Sequence, residues 1–144
     1  MDTPYFLIDE AKLAENAKIL RDVALRAGCK ILLAQKAYSV WQTYPLLQDS
    51  LAGTAASGLF EARLGREEFG KEVHVFSPAY RTEDVAALVK YADHIVFNTP
   101  AQAEKFAPMC RAAGVSVGLR VNPECSTQEG HAIYDPCAPF SRLG

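Results

Sequence analysis

Lys36 closes an apolar run, Ile31-Leu32-Leu33-Ala34-Gln35-Lys36, and Tyr38 follows two residues later. A strand that carries an amine out at its C-terminal end delivers it to one rim of a sheet or barrel. Ligands bind at that rim in open α/β sheets and in (β/α) barrels. A lysine partly buried there loses proton affinity, because desolvation disfavours the ammonium form. A neutral amine attacks a carbonyl and forms a Schiff base. The plain alternative is a strand-end lysine that snorkels into solvent. The elements around Lys36 have to decide between the two.

The bulk properties frame that decision. The chain has 144 residues, of which 49% are hydrophobic and 22% charged, as in an ordinary globular domain. A net charge of −2 gives no electrostatic case for nucleic acid or an anionic membrane. The opening Met1-Asp2-Thr3-Pro4 lacks the basic start and apolar core of a signal peptide, and no window reaches the ~20 apolar residues of a membrane span. A cytoplasmic setting is therefore expected. Cys29, Cys110, Cys125 and Cys137 form no C-x-x-C pair, and only His131 lies near the last two. Buried or idle thiols are expected rather than a zinc site or a disulfide framework.

The elements read in alternation. Tyr5-Phe6-Leu7-Ile8 reads as a short strand, and Asp9 as the N-cap of a helix with Leu13, Ala17, Leu20, Ala24 and Ala27 on its apolar face. Gly28 closes that helix, and the lysine strand follows. A helical stretch from Val40 to Leu51, with Trp41, Tyr44, Leu47 and Leu51 apolar, must kink at Pro45 or begin there. Residues 54–57 and 73–77 read as strands separated by a helix that Gly58 opens and Gly70 closes. Thr82 is expected to cap the next helix, with Glu83 and Asp84 in its first turn. Residues 94–98 form another strand. Thr99-Pro100-Ala101-Gln102 is a capping box with proline at the first helical position, opening a helix that Pro108 is expected to bend. A last strand runs from Val115 to Val121.

Strand alternating with helix implies right-handed crossovers and a parallel sheet. The strand ends at Lys36, Ser57, Ser77, Asn98 and Arg120 lie 21, 20, 21 and 22 residues apart. So constant a unit suits a (β/α) barrel better than a doubly wound sheet. Within 115–122 the odd positions are aliphatic and suit the helix side, so Arg120 and Asn122 point into the barrel near its rim. By the same alternation Lys36 points inward with Leu32 and Ala34, and Asn98 with Val96. Polar groups gathered at one rim from several strands are what a barrel active site requires, which favours a functional Lys36. Beyond Asn122 the pattern dissolves. About five βα units are visible, against the roughly 250 residues of a whole eight-stranded barrel.

Particular segments then carry a resemblance. Thr3-Pro4-Tyr5-Phe6-Leu7-Ile8-Asp9 resembles the opening segment of pyridoxal-phosphate decarboxylases of the alanine racemase-like barrel class. Leu33-Ala34-Gln35-Lys36-Ala37-Tyr38 resembles their cofactor-lysine strand. The run from Ser57 to Arg66, Asn122-Pro123, Tyr134-Asp135-Pro136-Cys137 and Pro139-Phe140-Ser141-Arg142-Leu143-Gly144 are most similar to the carboxynorspermidine decarboxylase family.

The resemblance implies an α/β fold, with residues 1–144 as the N-terminal part of a pyridoxal-phosphate-binding (β/α)8 barrel. Further barrel strands and a C-terminal β domain would lie outside this chain. It implies decarboxylation of carboxynorspermidine or carboxyspermidine in polyamine biosynthesis, by a homodimer that shares its active sites. Lys36 would hold the cofactor and move protons. Arg120 would sit near the cofactor ring or phosphate, its structural alternative being an ion pair. Ser57 would contact cofactor and Glu61 substrate, unless they only cap a helix and line its first turn. His131 would contact substrate or cap a loop. Related decarboxylases often have an acid where Thr54 stands, which puts that acid's role in doubt here. The phosphate loop and the acid facing the pyridine nitrogen would come from later strands, so this chain by itself is expected to bind cofactor weakly and turn over little. The alternatives are a diaminopimelate or other amino-acid decarboxylase of the same fold, a cofactor carrier without decarboxylation, and a truncated, non-enzymatic remnant.

Overall fold

The structure, a computed structural model, describes residues 3–127 and 135–144. Five parallel strands, β1 (Leu32–Ala34), β2 (Gly53–Ala56), β3 (Glu72–Phe76), β4 (His94–Phe97) and β5 (Ser116–Leu119), hydrogen-bond in the order 1-2-3-4-5. The order never reverses, so the winding runs one way. That is the arc of a barrel, not a doubly wound sheet with a switch point. The helices are α1 (Glu10–Ala27), α2 (Pro45–Gln48), α3 (Leu59–Leu64), α4 (Thr82–Leu88) and α5 (Pro100–Ala112).

Local chemistry explains most boundaries. Asp9 caps α1, its carboxylate accepting from the Lys12 amide, and Gly28 closes the helix in the left-handed region with φ 62°. Pro45 sits at the start of α2, after a single 3-10 turn over Trp41–Thr43, so the helix begins at the proline rather than kinking there. Trp41, expected on the buried face, is 47% exposed because that turn rotates it outward. Helix α3 widens into a π turn over Gly65–Phe69 before Gly70 ends it. Thr82 is the first helical residue of α4, not its cap. Arg81 precedes it and pairs with Asp84 and Glu83 across the first turn. Thr99 caps α5 by accepting from the Gln102 amide, and α5 runs on through Pro108 to Ala112. The Gln102 side chain does not return to Thr99: its oxygen accepts from the Asn98 amide and its nitrogen donates to the Pro78 carbonyl.

The expected strand at Tyr5–Ile8 is absent. Residues 5–9 are irregular, with Tyr5, Phe6 and Leu7 exposed. A strand needs a paired edge, and among the described residues the sheet consists of β1 to β5. The core lies between sheet and helices in two bodies. One gathers Val73, Val75, Val85, Leu88, Ile95, Phe97, Phe106 and Cys110 under β3 and β4. The other packs Ala17, Tyr44, Leu47, Leu51 and Phe69 beside β1.

Candidate active site at the C-terminal rim

Burial alternates along β3 and β4 and fixes which side each of their residues faces. Val73 and Val75 of β3, and Ile95 and Phe97 of β4, are buried toward the helices, while Glu72, His74, Phe76, His94 and Val96 are only half-buried. These half-buried residues line the inner face. The pairing Ala34–Ala55–His74–His94–Ser116 makes one inward layer across all five strands. One step toward the C-terminal ends, Phe76, Val96 and Gly118 form the next.

Lys36 and Ser57 lie two residues beyond the Ala34–Ala55 pair, where β1 and β2 run out into the rim. Lys36 stands in the turn after β1 and is exposed, so this five-stranded arc does not itself withdraw the amine from water. Its neighbour Gln35 is buried on the helix side and donates to the Tyr44 hydroxyl at 3.4 Å. Arg120 follows β5, anchored by its amide donating to the Phe97 carbonyl. Its guanidinium lies over the Phe76 ring, 4.9 Å from the centre, which places it on the inner face as the alternation requires. Among the described residues no carboxylate pairs with it, so the ion-pair alternative finds no partner there.

The Glu61 carboxylate accepts from the Ser57 amide at 2.6 Å, which ties the first turn of α3 to the end of β2. The capping role is therefore present, and it aims both residues at the rim. Thr54 is fully buried on the helix side, packed toward Gly65, and does not reach the inner face. His131 lies outside the described residues, as does Tyr134.

One rim residue, Tyr80, was not singled out from the sequence. Tyr80 accepts from the Ser77 amide at 2.7 Å and donates to the Val96 carbonyl at 3.0 Å, bridging the ends of β3 and β4. Its burial pushes the phenol up to about 12. A cleft of about 290 Å³ opens beside it, lined by Ser57, Leu59, Phe60, Tyr80, Arg81 and Asp84. Asn98, which the alternation sets inward with Val96, is buried. Its amide donates to the Arg142 carbonyl and accepts from the Gly144 amide, so the Phe140-Ser141-Arg142-Leu143-Gly144 stretch is drawn to the rim.

The arc of parallel strands, with a lysine at its rim, is that of the N-terminal part of a (β/α) barrel. The diaminopimelate decarboxylase of Helicobacter pylori, complexed with L-lysine, shares this fold with a TM-score of 0.80 at 16% identity. Within that class the chain is a relative of the carboxynorspermidine/carboxyspermidine decarboxylases and corresponds to their N-terminal portion. The carboxynorspermidine decarboxylase of Campylobacter jejuni, complexed with norspermidine, matches the whole chain with a TM-score of 0.88 at 33% identity, over 36% of its own length. A carboxynorspermidine/carboxyspermidine decarboxylase of Herminiimonas arsenicoxydans is 38% identical over all 144 residues, and a carboxyaminopropylagmatine decarboxylase of Synechocystis is 40% identical. The chain spans 39% and 37% of those two relatives. No protein-family model matches it.

The residues present fit a cofactor with an aldehyde and an anionic arm. Lys36 supplies an amine and Arg120 a guanidinium without a carboxylate partner among the described residues. The small inward residues Ala34, Ala55 and Gly118 leave the floor beneath them low.

Proposed function

We propose that residues 1–144 form the lysine-bearing, N-terminal part of the barrel of a pyridoxal-phosphate-dependent decarboxylase acting on a carboxylated polyamine. Carboxynorspermidine and carboxyspermidine are the named substrates. What supports the reading most is the match along the entire chain to decarboxylases of such substrates, with Lys36 standing at the C-terminal end of the first strand of the shared fold.

Lys36 would hold the cofactor through its ε-nitrogen and afterwards hold and return a proton at the substrate's α-carbon. Arg120, steadied on the Phe76 ring, would orient an anionic group of the cofactor. Ser57 would bind the cofactor at the rim. Glu61 would carry negative charge toward the amines of the substrate while its carboxylate keeps the Ser57 amide in place. His131 would complete the substrate contacts. The chemistry supplied by bound pyridoxal phosphate is an electron sink for the pair left when the carboxylate departs as carbon dioxide. A cytoplasmic, homodimeric enzyme fits this reading.

The test is carbon dioxide release by the complete gene product with pyridoxal phosphate and, in parallel, carboxynorspermidine, carboxyspermidine and diaminopimelate. Turnover of a carboxylated polyamine is expected. Turnover of diaminopimelate alone would place the protein with the other branch of the fold, and no turnover of any would favour a carrier or a remnant.

A further inference from the structure

On the inner face, deeper than the rim, three side chains converge that the proposed chemistry does not use. Glu72 and His74 stand two apart on β3, so both point inward, and His94 of β4 is the direct cross-strand partner of His74. The two imidazoles stack with centroids 4.1 Å apart and planes 24° from parallel. The Nε2 of His74 lies 3.2 Å from one Glu72 oxygen, Oε2, and Lys30 pairs with the other, Oε1. Among the described residues, no hydrogen bond reaches the ring of His94.

We propose that Glu72, His74 and His94 form a binding site for a divalent transition ion of the zinc type. One oxygen and two nitrogen ligand atoms, one from each side chain, all lie within 4.8 Å of one another. A tetrahedral zinc ion with bonds of about 2.1 Å sets its ligand atoms about 3.4 Å apart, so modest side-chain rotation closes the set. Neutral imidazole and carboxylate are the ligands that such ions select, and the fourth position is left for water. Lys30 keeps its hold on the far oxygen of Glu72 and orients the carboxylate from outside the ligand set. A residue pair at i and i+2 with a cross-strand third is how a sheet brings three ligands to one point. The site lies one or more layers below Lys36, so it is separate from the decarboxylation chemistry.

Titration with Co²⁺ and Zn²⁺ tests this, on the complete gene product and on its His94→Asn and His74→Gln variants, each checked for an unchanged circular dichroism spectrum. One Co²⁺ per chain is expected, with visible bands of a four-coordinate nitrogen and oxygen site, displaced by Zn²⁺ and unaffected by alkylation of the thiols. Either variant should weaken binding at least tenfold, and His74→Gln serves if His94→Asn fails to fold. A thiolate charge-transfer band, unchanged affinity in the folded variant, or no binding would overturn the site.

Discussion

The Arg120 guanidinium stands 4.9 Å from the centre of the Phe76 ring, two strands away on the same inner face. A cation over an aromatic face is held there by the ring quadrupole, worth about 0.5–1 kcal/mol when exposed. The ring steadies the arginine and leaves its donors open, which a salt bridge would not do.

With its donors open, Arg120 is proposed as a binding group rather than a strut. Replacing Arg120 with Met should weaken pyridoxal phosphate binding by the complete gene product about tenfold or more, the cost of losing a charge-assisted hydrogen bond. Arg120→Lys should recover only part of it, since a lysine lacks the planar fork. Equilibrium titration by absorbance checks both. Unchanged affinity with a lowered melting temperature would make the residue structural.

Tyr80 predicts a pH dependence. Its phenol is raised from 10.0 to about 12, first by burial, so the folded protein favours the neutral form. For a group whose pKa is raised on folding, the stabilisation is complete below the unfolded value and disappears as pH climbs through the folded one. Stability from Tyr80 should therefore hold up to about pH 10 and fall between pH 10 and about 12. Spectrophotometric titration should show late tyrosine ionisation; burial raises Tyr44 as well, so the step lost in Tyr80→Phe is the one assigned to Tyr80. Tyr80→Phe should remove that late step and cost about 1–2 kcal/mol, as the Ser77 amide and Val96 carbonyl lose their partner.

Gly65 touches the back of β2. A Cβ there would meet Thr54 Oγ1 at 2.3 Å, so Gly65→Ala should destabilise by about 1–3 kcal/mol. Among the described residues the buried Thr54 Oγ1 has no hydrogen-bond partner, so Thr54→Ala frees space at little polar cost. The double variant should be more stable than the two single losses add up to, by about 0.5 kcal/mol or more in chemical denaturation. Strict additivity would mean that the two residues do not meet.

Much of this architecture is legible in the sequence because it is local. The near-constant spacing of strand ends announces a singly wound arc, and Asp9, Gly28, Thr99 and Gly70 act as punctuation wherever backbone chemistry decides. The inward orientation of Arg120 follows from period-two alternation in one strand. What depends on partners is not legible. Tyr5–Ile8 has the composition of a strand and no edge to pair with among the described residues. Trp41 is apolar yet turned outward by a single 3-10 turn. The roles of Tyr80 and Asn98 depend on chain segments far apart in sequence. Glu72, His74 and His94 were within reach: the alternation that oriented Arg120, applied to Glu72–Phe76 and His94–Phe97, sets all three inward.

Phe97 tests the packing beneath the rim. It is fully buried, edge-on to Tyr80 and stacked on Phe106. Phe97→Ala should cost about 3–5 kcal/mol. A loss under 1 kcal/mol in denaturant unfolding would show that this cluster is not the core.

The most direct measurement concerns Lys36. The complete gene product, equilibrated with pyridoxal phosphate, reduced with borohydride and mapped by mass spectrometry, should carry the phosphopyridoxyl group at Lys36, and Lys36→Ala should abolish both that label and carbon dioxide release. A label confined to other lysines, or a Lys36→Ala protein that still decarboxylates, would contradict the account.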